Sequence, residues 1–210
     1  MLTKTPLYRR WKSTTATGLK KRRLDTLLQL TGCDLPQERP LRILEMGCSN
    51  GQDALRFLSD ASRYALWGVD ILPQEIQQDN FVFTQGDVET LPFDDNFFDL
   101  VISIGLLEHI EPMEKLGRVI QEASRVGRAY AHIMPCVATP IEPHTVRPFW
   151  TNRLHPKLVY QHAHDQILHL NFFSDHTWTR FEGFFDADVR RFWYLWPLVR
   201  NLIVYKRACL

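Results

Sequence analysis

Ile43-Leu44-Glu45-Met46-Gly47-Cys48-Ser49-Asn50-Gly51 is an apolar strand run that breaks into a glycine turn, with an acid two residues before the first glycine. Nineteen residues after Gly51, the next apolar run, Ala65–Val69, ends in Asp70. A strand that stops in small residues and opens a helix lets a ligand approach bare backbone at a helix N-terminus, which favours negative charge. An acid at the end of the following strand can accept both hydroxyls of a ribose. Together these strand ends predict a nucleoside-containing cofactor. Alone, the glycine turn is also consistent with an ordinary strand-to-helix connection.

On either side of this stretch the chain alternates strand and helix. After a polar leader, helical spacing of leucines predicts a helix near 18–31 that ends at Gly32. Strands are expected at 41–46, 65–70, 81–85, 98–104 and 128–134. Helices are expected at 52–60 and 112–126, with a short helix or turn near 73–79. Pro112 suits the first turn of the second helix, and Gly127 ends it. Short strands alternating with helices argue an α/β fold, a parallel sheet with helices on both faces. In such sheets the ligand sits outside the carboxyl ends of the strands, where both acids lie.

From Pro135 the pattern changes. Five prolines between Pro135 and Pro156 forbid a regular helix or a central strand and predict a long loop over the carboxyl edge. Helices near 157–169 and 175–185 follow. Two strand-like runs, Val189–Tyr194 and Leu198–Tyr205, flank Trp196-Pro197 and predict a terminal hairpin on the sheet edge. The 210 residues are read as one domain: a basic N-terminal helix region (1–40), a cofactor-binding core (41–134), a substrate-side loop and helices (135–187) and the hairpin (188–210).

At 45% hydrophobic and 23% charged, the composition is that of an ordinary globular protein. Cys33, Cys48, Cys136 and Cys209 share no close spacing, which disfavours a disulfide framework or zinc ribbon and fits a reducing cytoplasm. No apolar run is long enough to span a bilayer, and residues 1–12 lack the apolar core of a signal peptide. The net charge of +1 divides into +6 over residues 1–40 and −5 over the rest. Lys20-Lys21-Arg22-Arg23 can meet phosphate or an anionic membrane surface, but the leucines after it favour a solvated helix face. A nucleic-acid partner is not favoured, and peripheral membrane contact is the remaining alternative.

Further segments raise the opening motif. Gly86-Asp87-Val88 ends the third strand, where a carboxylate can accept from an adenine amino group. Glu-Thr-Leu-Pro-Phe-Asp-Asp-Asn (89–96) feeds the fourth strand, and Leu-Leu-Glu-His-Ile (106–110) follows it. With these in order, residues 20–135 resemble the class I S-adenosylmethionine-dependent methyltransferases, in the small-molecule group with a Leu-Pro-Phe loop and a Leu-Glu-His turn. Ser49 departs from the family, which usually has glycine there. The resemblance implies a Rossmann-like, doubly wound, seven-stranded sheet, mostly parallel, with a C-terminal antiparallel hairpin.

It also implies S-adenosyl-L-methionine as cofactor. Glu45 would face the methionine ammonium. Gly47, Cys48, Ser49 and Gly51 would line the methionine part. Asp70 would bind the ribose, with Ile71 against adenine. Asp87 would accept from the adenine amino group, beside Gly86, and Val88 would offer its backbone N–H. Ser103, Ile104 and Gly105 would lie near the sulfonium and methyl group.

Methyl transfer from a sulfonium is an in-line displacement in which the protein mainly aligns donor and acceptor and excludes water. A base is needed only for a hydroxyl or a similarly weak acid. His109, after the fourth strand, is one candidate base; packing the turn before Pro112 is its equal alternative. His144, in Pro-Ile-Glu-Pro-His-Thr (140–145), is the other. That segment resembles an element of methyltransferases from glycan gene neighbourhoods, and a rigid proline loop is the competing reading. The expected reaction is therefore methyl transfer, O-methylation in particular, to a small-molecule or glycan acceptor.

Six of the eight histidines fall between His144 and His176, but their spacing does not make a metal site. The aromatic tail (Phe181, Phe184, Phe185, Phe192, Trp193, Tyr194, Trp196) reads first as core and only second as a lipid or partner contact. A nicotinamide-dependent oxidoreductase would want pyrophosphate-binding glycines, and Glu45 argues against them. A non-catalytic binding module on the same fold is the other alternative, with Ser49 its best support.

Overall fold

A computed structural model describes residues 6–35, 38–51, 55–76, 78–136, 138–142, 147–148, 187–195 and 198–208. Helix α1 (Pro6–Thr31) leads into β1 (Leu41–Met46), β2 (Tyr64–Asp70), β3 (Phe81–Gln85) and β4 (Phe98–Ile104). Helix α2 (Met113–Val126) and β5 (Gly127–Pro135) follow. A two-stranded ladder, β6 (Ile141–Glu142) with β7 (Arg147–Pro148), precedes the terminal hairpin of β8 (Asp188–Leu195) and β9 (Val199–Lys206).

The seven-stranded sheet has the order β3-β2-β1-β4-β5-β9-β8. β1 to β5 are parallel, while β9 runs antiparallel to both β5 and β8. Residues buried on both sides make the central strands continuous apolar runs, as parallel sheets require. Phe98, Leu100, Val101 and Ile102 of β4 are all fully buried. One face carries Leu44, Met46, Val101 and Tyr130 against Leu116, Val119, Ile120 and Ala123 of α2. The other carries Ile43, Leu100, Ile102 and Ala131 against Leu24, Leu27 and Leu28 of α1. The sheet is thus doubly wound, and its order reverses between β1 and β4, the place where sheets of this kind bind a ligand outside the carboxyl ends of the strands.

Helix α1 ends as its sequence predicts. Gly32, at φ +76°, takes the left-handed position, and Cys33 N–H donates to Leu28 O at 2.9 Å. The helix begins earlier than the leucine spacing indicated, at Pro6. The basic run is largely engaged: Lys21 pairs with Asp25, and Arg22 reaches the Trp193 carbonyl and lies over the Phe192 ring. That agrees with the helix-face reading. Among the described residues no helix is long and apolar enough to cross a membrane.

One expected helix is corrected. The helix expected at 52–60 is a single 3-10 turn, Leu55–Phe57, in its described part. The Asn80 amide takes the Leu58 carbonyl at 2.8 Å, and Asp60 turns the chain by accepting from Ser62 N–H and Oγ–H. Of the short helix or turn expected near 73–79, the described residues show no helix, and the chain turns at 79–80 into β3. Pro73 lacks an N–H, and Ile76 packs over Gly51 instead of joining a helical stripe. In the expected proline loop, the described part includes the β6–β7 ladder. The helices expected at 157–169 and 175–185 lie outside the described residues.

Gly68, in β2, marks where the second strand supports the glycine turn. A Cβ there would lie 2.6 Å from Cys48 Sγ and 2.7 Å from Phe81 Cζ. Gly68→Ala is therefore expected to lower stability by about 1–3 kcal/mol through overpacking, measured by urea unfolding. An unchanged midpoint would show that Cys48 does not rest on the strand.

Candidate functional site

The turn after β1 alternates left-handed residues: Gly47 at φ +67°, Ser49 at +46° and Gly51 at +68°. Ser49 thus adopts the conformation glycine favours, and the departure in sequence preserves the backbone path. Gly47 and Cys48 N–H both donate to Val69 O, at 2.8 and 3.2 Å, tying the turn to the end of β2. The Cys48 thiol points into the core. Burial, then the carboxylates of Glu45 and Asp70, push its pKa up to about 12, so it is neither a thiolate nor a pocket wall. Only its backbone can line the site. Glu45 is 1% exposed, at the floor of the turn.

Asp70 organises the edge. Its Oδ2 accepts from Ser49 N–H at 2.8 Å and its Oδ1 from Leu72 N–H at 3.0 Å. Each oxygen keeps a second lone pair, so vicinal hydroxyls can be received without breaking either bond. Beside it, Ile71 and Leu72 are 66% and 63% exposed, an apolar surface next to a carboxylate. Gly86 N–H donates to Asp70 O at 3.0 Å, bringing the end of β3 to the same place. Asp87 follows, half-buried, with Oδ1 accepting from Glu89 N–H at 3.0 Å and Oδ2 from Lys115 Nζ at 2.6 Å. Val88 is buried in the core, which leaves its backbone for contact with a ligand.

Across the crevice, Ser103, Ile104 and Gly105 end β4, with Gly105 at φ +72°. The Leu106 side chain leans over Gly47, where a Cβ would come within 2.8 Å of its Cδ1. Any side chain at Gly47 would fill this narrow cradle. Ser103 Oγ shares a 2.8 Å hydrogen bond with His132 Nδ1, both groups being wholly buried. Burial pushes the His132 imidazole down to about 3, so it is neutral. His109 ends the 3-10 turn Leu107–His109 and is exposed on the same edge, whereas Glu108 is buried. His144 lies outside the described residues, as do the five histidines after it.

The structure therefore gathers Glu45, Gly47, Ser49, Gly51, Asp70, Ile71, Gly86, Asp87, Ser103, Ile104, Gly105 and His109 at one edge. Sequence reasoning missed Leu106, Lys115 and His132. His132 shares its face of β5 with Tyr130 and Met134, a period of two that could have been noticed; Lys115 gives no local signal. The Leu-Pro-Phe loop is structural: Leu91 N–H donates to Glu122, and Arg125 reaches the Leu91 and Phe93 carbonyls. The narrow cradle at Gly47, the two-acceptor carboxylate and the exposed apolar pair fit an adenosyl group carrying an amino-acid tail.

Residues 44–134 match the family described as a methyltransferase domain. Ajmaline N-methyltransferase of Rauvolfia serpentina is 30% identical over 114 residues, 48% of this chain and 37% of that protein. A probable phthiotriol/phenolphthiotriol dimycocerosates methyltransferase of Mycobacterium ulcerans is 36% identical over 107 residues, 45% of this chain and 40% of that protein. The chain thus spans well under half the length of these relatives. The crystal structure of Burkholderia thailandensis 1,6-didemethyltoxoflavin-N1-methyltransferase, with S-adenosylhomocysteine bound, superposes with a TM-score of 0.55 at 16% identity, covering 96% of this chain and 83% of that one. Family match, strand order and the geometry of the β1–β2 edge agree, and residues 44–134 belong to the class I S-adenosylmethionine-dependent methyltransferases, whose cofactor is S-adenosylmethionine.

Proposed function

We propose that this chain transfers a methyl group to a small-molecule acceptor, with a hydroxyl of a metabolite or glycan as the receiving atom. The observation that carries the reading is Asp70, whose two oxygens are aimed by Ser49 and Leu72 N–H groups beside two exposed apolar side chains. S-adenosylmethionine, when bound, supplies an activated methyl on a sulfonium. Asp70 holds the ribose, Ile71 covers the base, and Glu45 gives the floor a negative charge that suits an ammonium. Ile104 and Gly105 form the wall next to the reacting atoms with the Ser103 hydroxyl buried behind them on His132, and Leu106 narrows the crevice against water. His109 takes the acceptor hydroxyl proton on an imidazole nitrogen, and His144 is the second group assigned to the acceptor.

A hydroxyl needs this proton removed, whereas an amine presents a free lone pair. The relative from Rauvolfia bears the name of an N-methyltransferase, so the acceptor atom is the point to test. An acceptor panel read by S-adenosylhomocysteine release is expected to give turnover on hydroxyl compounds. His109→Gln or His144→Ala is expected to lower it about 100-fold or more, the usual range for losing a general base. Full turnover in both variants, or turnover on amines alone, would overturn the assignment.

A further inference from the structure

Helix α2 begins at Met113, so Lys115 sits in its first turn, where the helix dipole disfavours a cation. It is held there by carboxylates from another segment. Its Nζ lies 2.6 Å from Asp87 Oδ2 and 3.3 Å from Glu89 Oε2. Arg118, one turn along, donates to the same Glu89 carboxylate. Asp87 is also fixed from below, through Glu89 N–H on its Oδ1 and Thr90 N–H on its backbone carbonyl at 3.2 Å. The platform is rigid, because Leu116, Val119 and Ile120 are fully buried against the sheet.

We infer that Lys115 is the positioning residue of the purine subsite, aiming the Asp87 carboxylate at an exocyclic amino group and so selecting adenine over a 6-oxo purine. The inference rests on the reading of the carboxyl edge as an adenosyl site. Asp87 Oδ2 accepts from Lys115 and Oδ1 from a backbone N–H, which fixes the plane of the carboxylate. Each oxygen retains a lone pair for a further donor. An amino group at purine C6 is such a donor; a carbonyl at C6 would face a negative oxygen with nothing between them. Lys115, with the Glu89 N–H, also holds Asp87 below the ordinary carboxylate range, so the acceptor stays ionised. A clasp that merely ordered the loop would affect both purines alike.

Calorimetry with S-adenosylhomocysteine and with S-inosylhomocysteine, on the wild-type chain, Lys115→Met and Lys115→Arg, separates the two. Lys115→Met is expected to weaken the adenosyl ligand about tenfold, the scale of one charge-assisted contact. The inosyl ligand should change by less than about threefold, so the preference between them narrows. Lys115→Arg should restore most of the preference. Lys115→Gln, which keeps a donor without charge, gives the same reading if the methionine variant does not fold. Equal losses for both ligands, or an unchanged preference, would overturn the assignment. If the wild-type chain bound neither ligand, the adenosyl reading itself would fall instead.

Discussion

Asp70→Ala is expected to weaken S-adenosylhomocysteine binding by at least about 100-fold, because two charge-assisted hydrogen bonds to the ribose are lost at about 1.5–3 kcal/mol each. The two N–H groups now satisfied by Asp70, on Ser49 and Leu72, lose their partner at the same time. Ser49 is exposed, so water can take over its N–H and the cost to folding stays small. The effect therefore separates: binding collapses while the melting temperature moves little. Isothermal titration with a melting curve on the same sample reads both. Unchanged affinity would remove Asp70 from the ribose site. A large loss of stability would make its role structural.

The largest effect on folding is expected at the opposite end of the sheet. Asp99, near the start of β4, is 8% exposed and accepts from the two terminal guanidinium nitrogens of Arg39 at 2.7 Å each and from Arg42 N–H at 2.9 Å. It fixes the chain before β1 to the central strand. Asp99→Ala is expected to cost about 3 kcal/mol, the lower end for breaking a buried pair, since Arg39 remains half in solvent. For a chain of this size that lowers the melting temperature by about 6–12 °C. Burial alone would raise the Asp99 pKa, but Arg39 and the Arg42 N–H outweigh it and hold the group below the ordinary carboxylate range. A depressed folded-state pKa gives stability that is complete above the unfolded value of about 4 and is lost as pH falls through the folded one. The gap between wild type and variant is therefore expected to shrink only under acid conditions. A gap constant from pH 7 to pH 3 would contradict the ion pair.

How far the sequence reveals this molecule depends on the range of the contact involved. β1, β4 and β5 are legible because strands buried on both faces are apolar almost throughout, and α2 because its stripe meets a buried face. The terminal hairpin is legible because Trp196-Pro197 separates two strand-like runs. The stretch expected as a helix at 52–60 is a single 3-10 turn in its described part, and the loop after it is tied from a distance: Asn80, in the next connection, donates to the Leu58 and Tyr64 carbonyls, contacts no local window contains. Likewise, the pairing of Lys21 with Asp25 can be read from a spacing of four, whereas Arg22 reaches Trp193 across the fold.

The site divides in the same way. Gly47, Gly51, Asp70 and Asp87 stand at strand ends and could be named from position. Ser49, an irregular position in sequence, takes the left-handed backbone that its glycine counterpart would, and this weakens the case for a degenerate binding module. Leu106 over Gly47, Ser103 with His132, and Lys115 on Asp87 all join segments that are distant in sequence. Their roles follow only from the folded chain.

On the proposed function, the edge between β1, β2 and β4 receives an adenosyl amino acid and not a dinucleotide. Titrating the chain with S-adenosylmethionine and, in parallel, with NADH distinguishes the two ligands. Saturable one-site heat is expected with S-adenosylmethionine and none with NADH. Binding of NADH, with no heat from S-adenosylmethionine, would contradict that function.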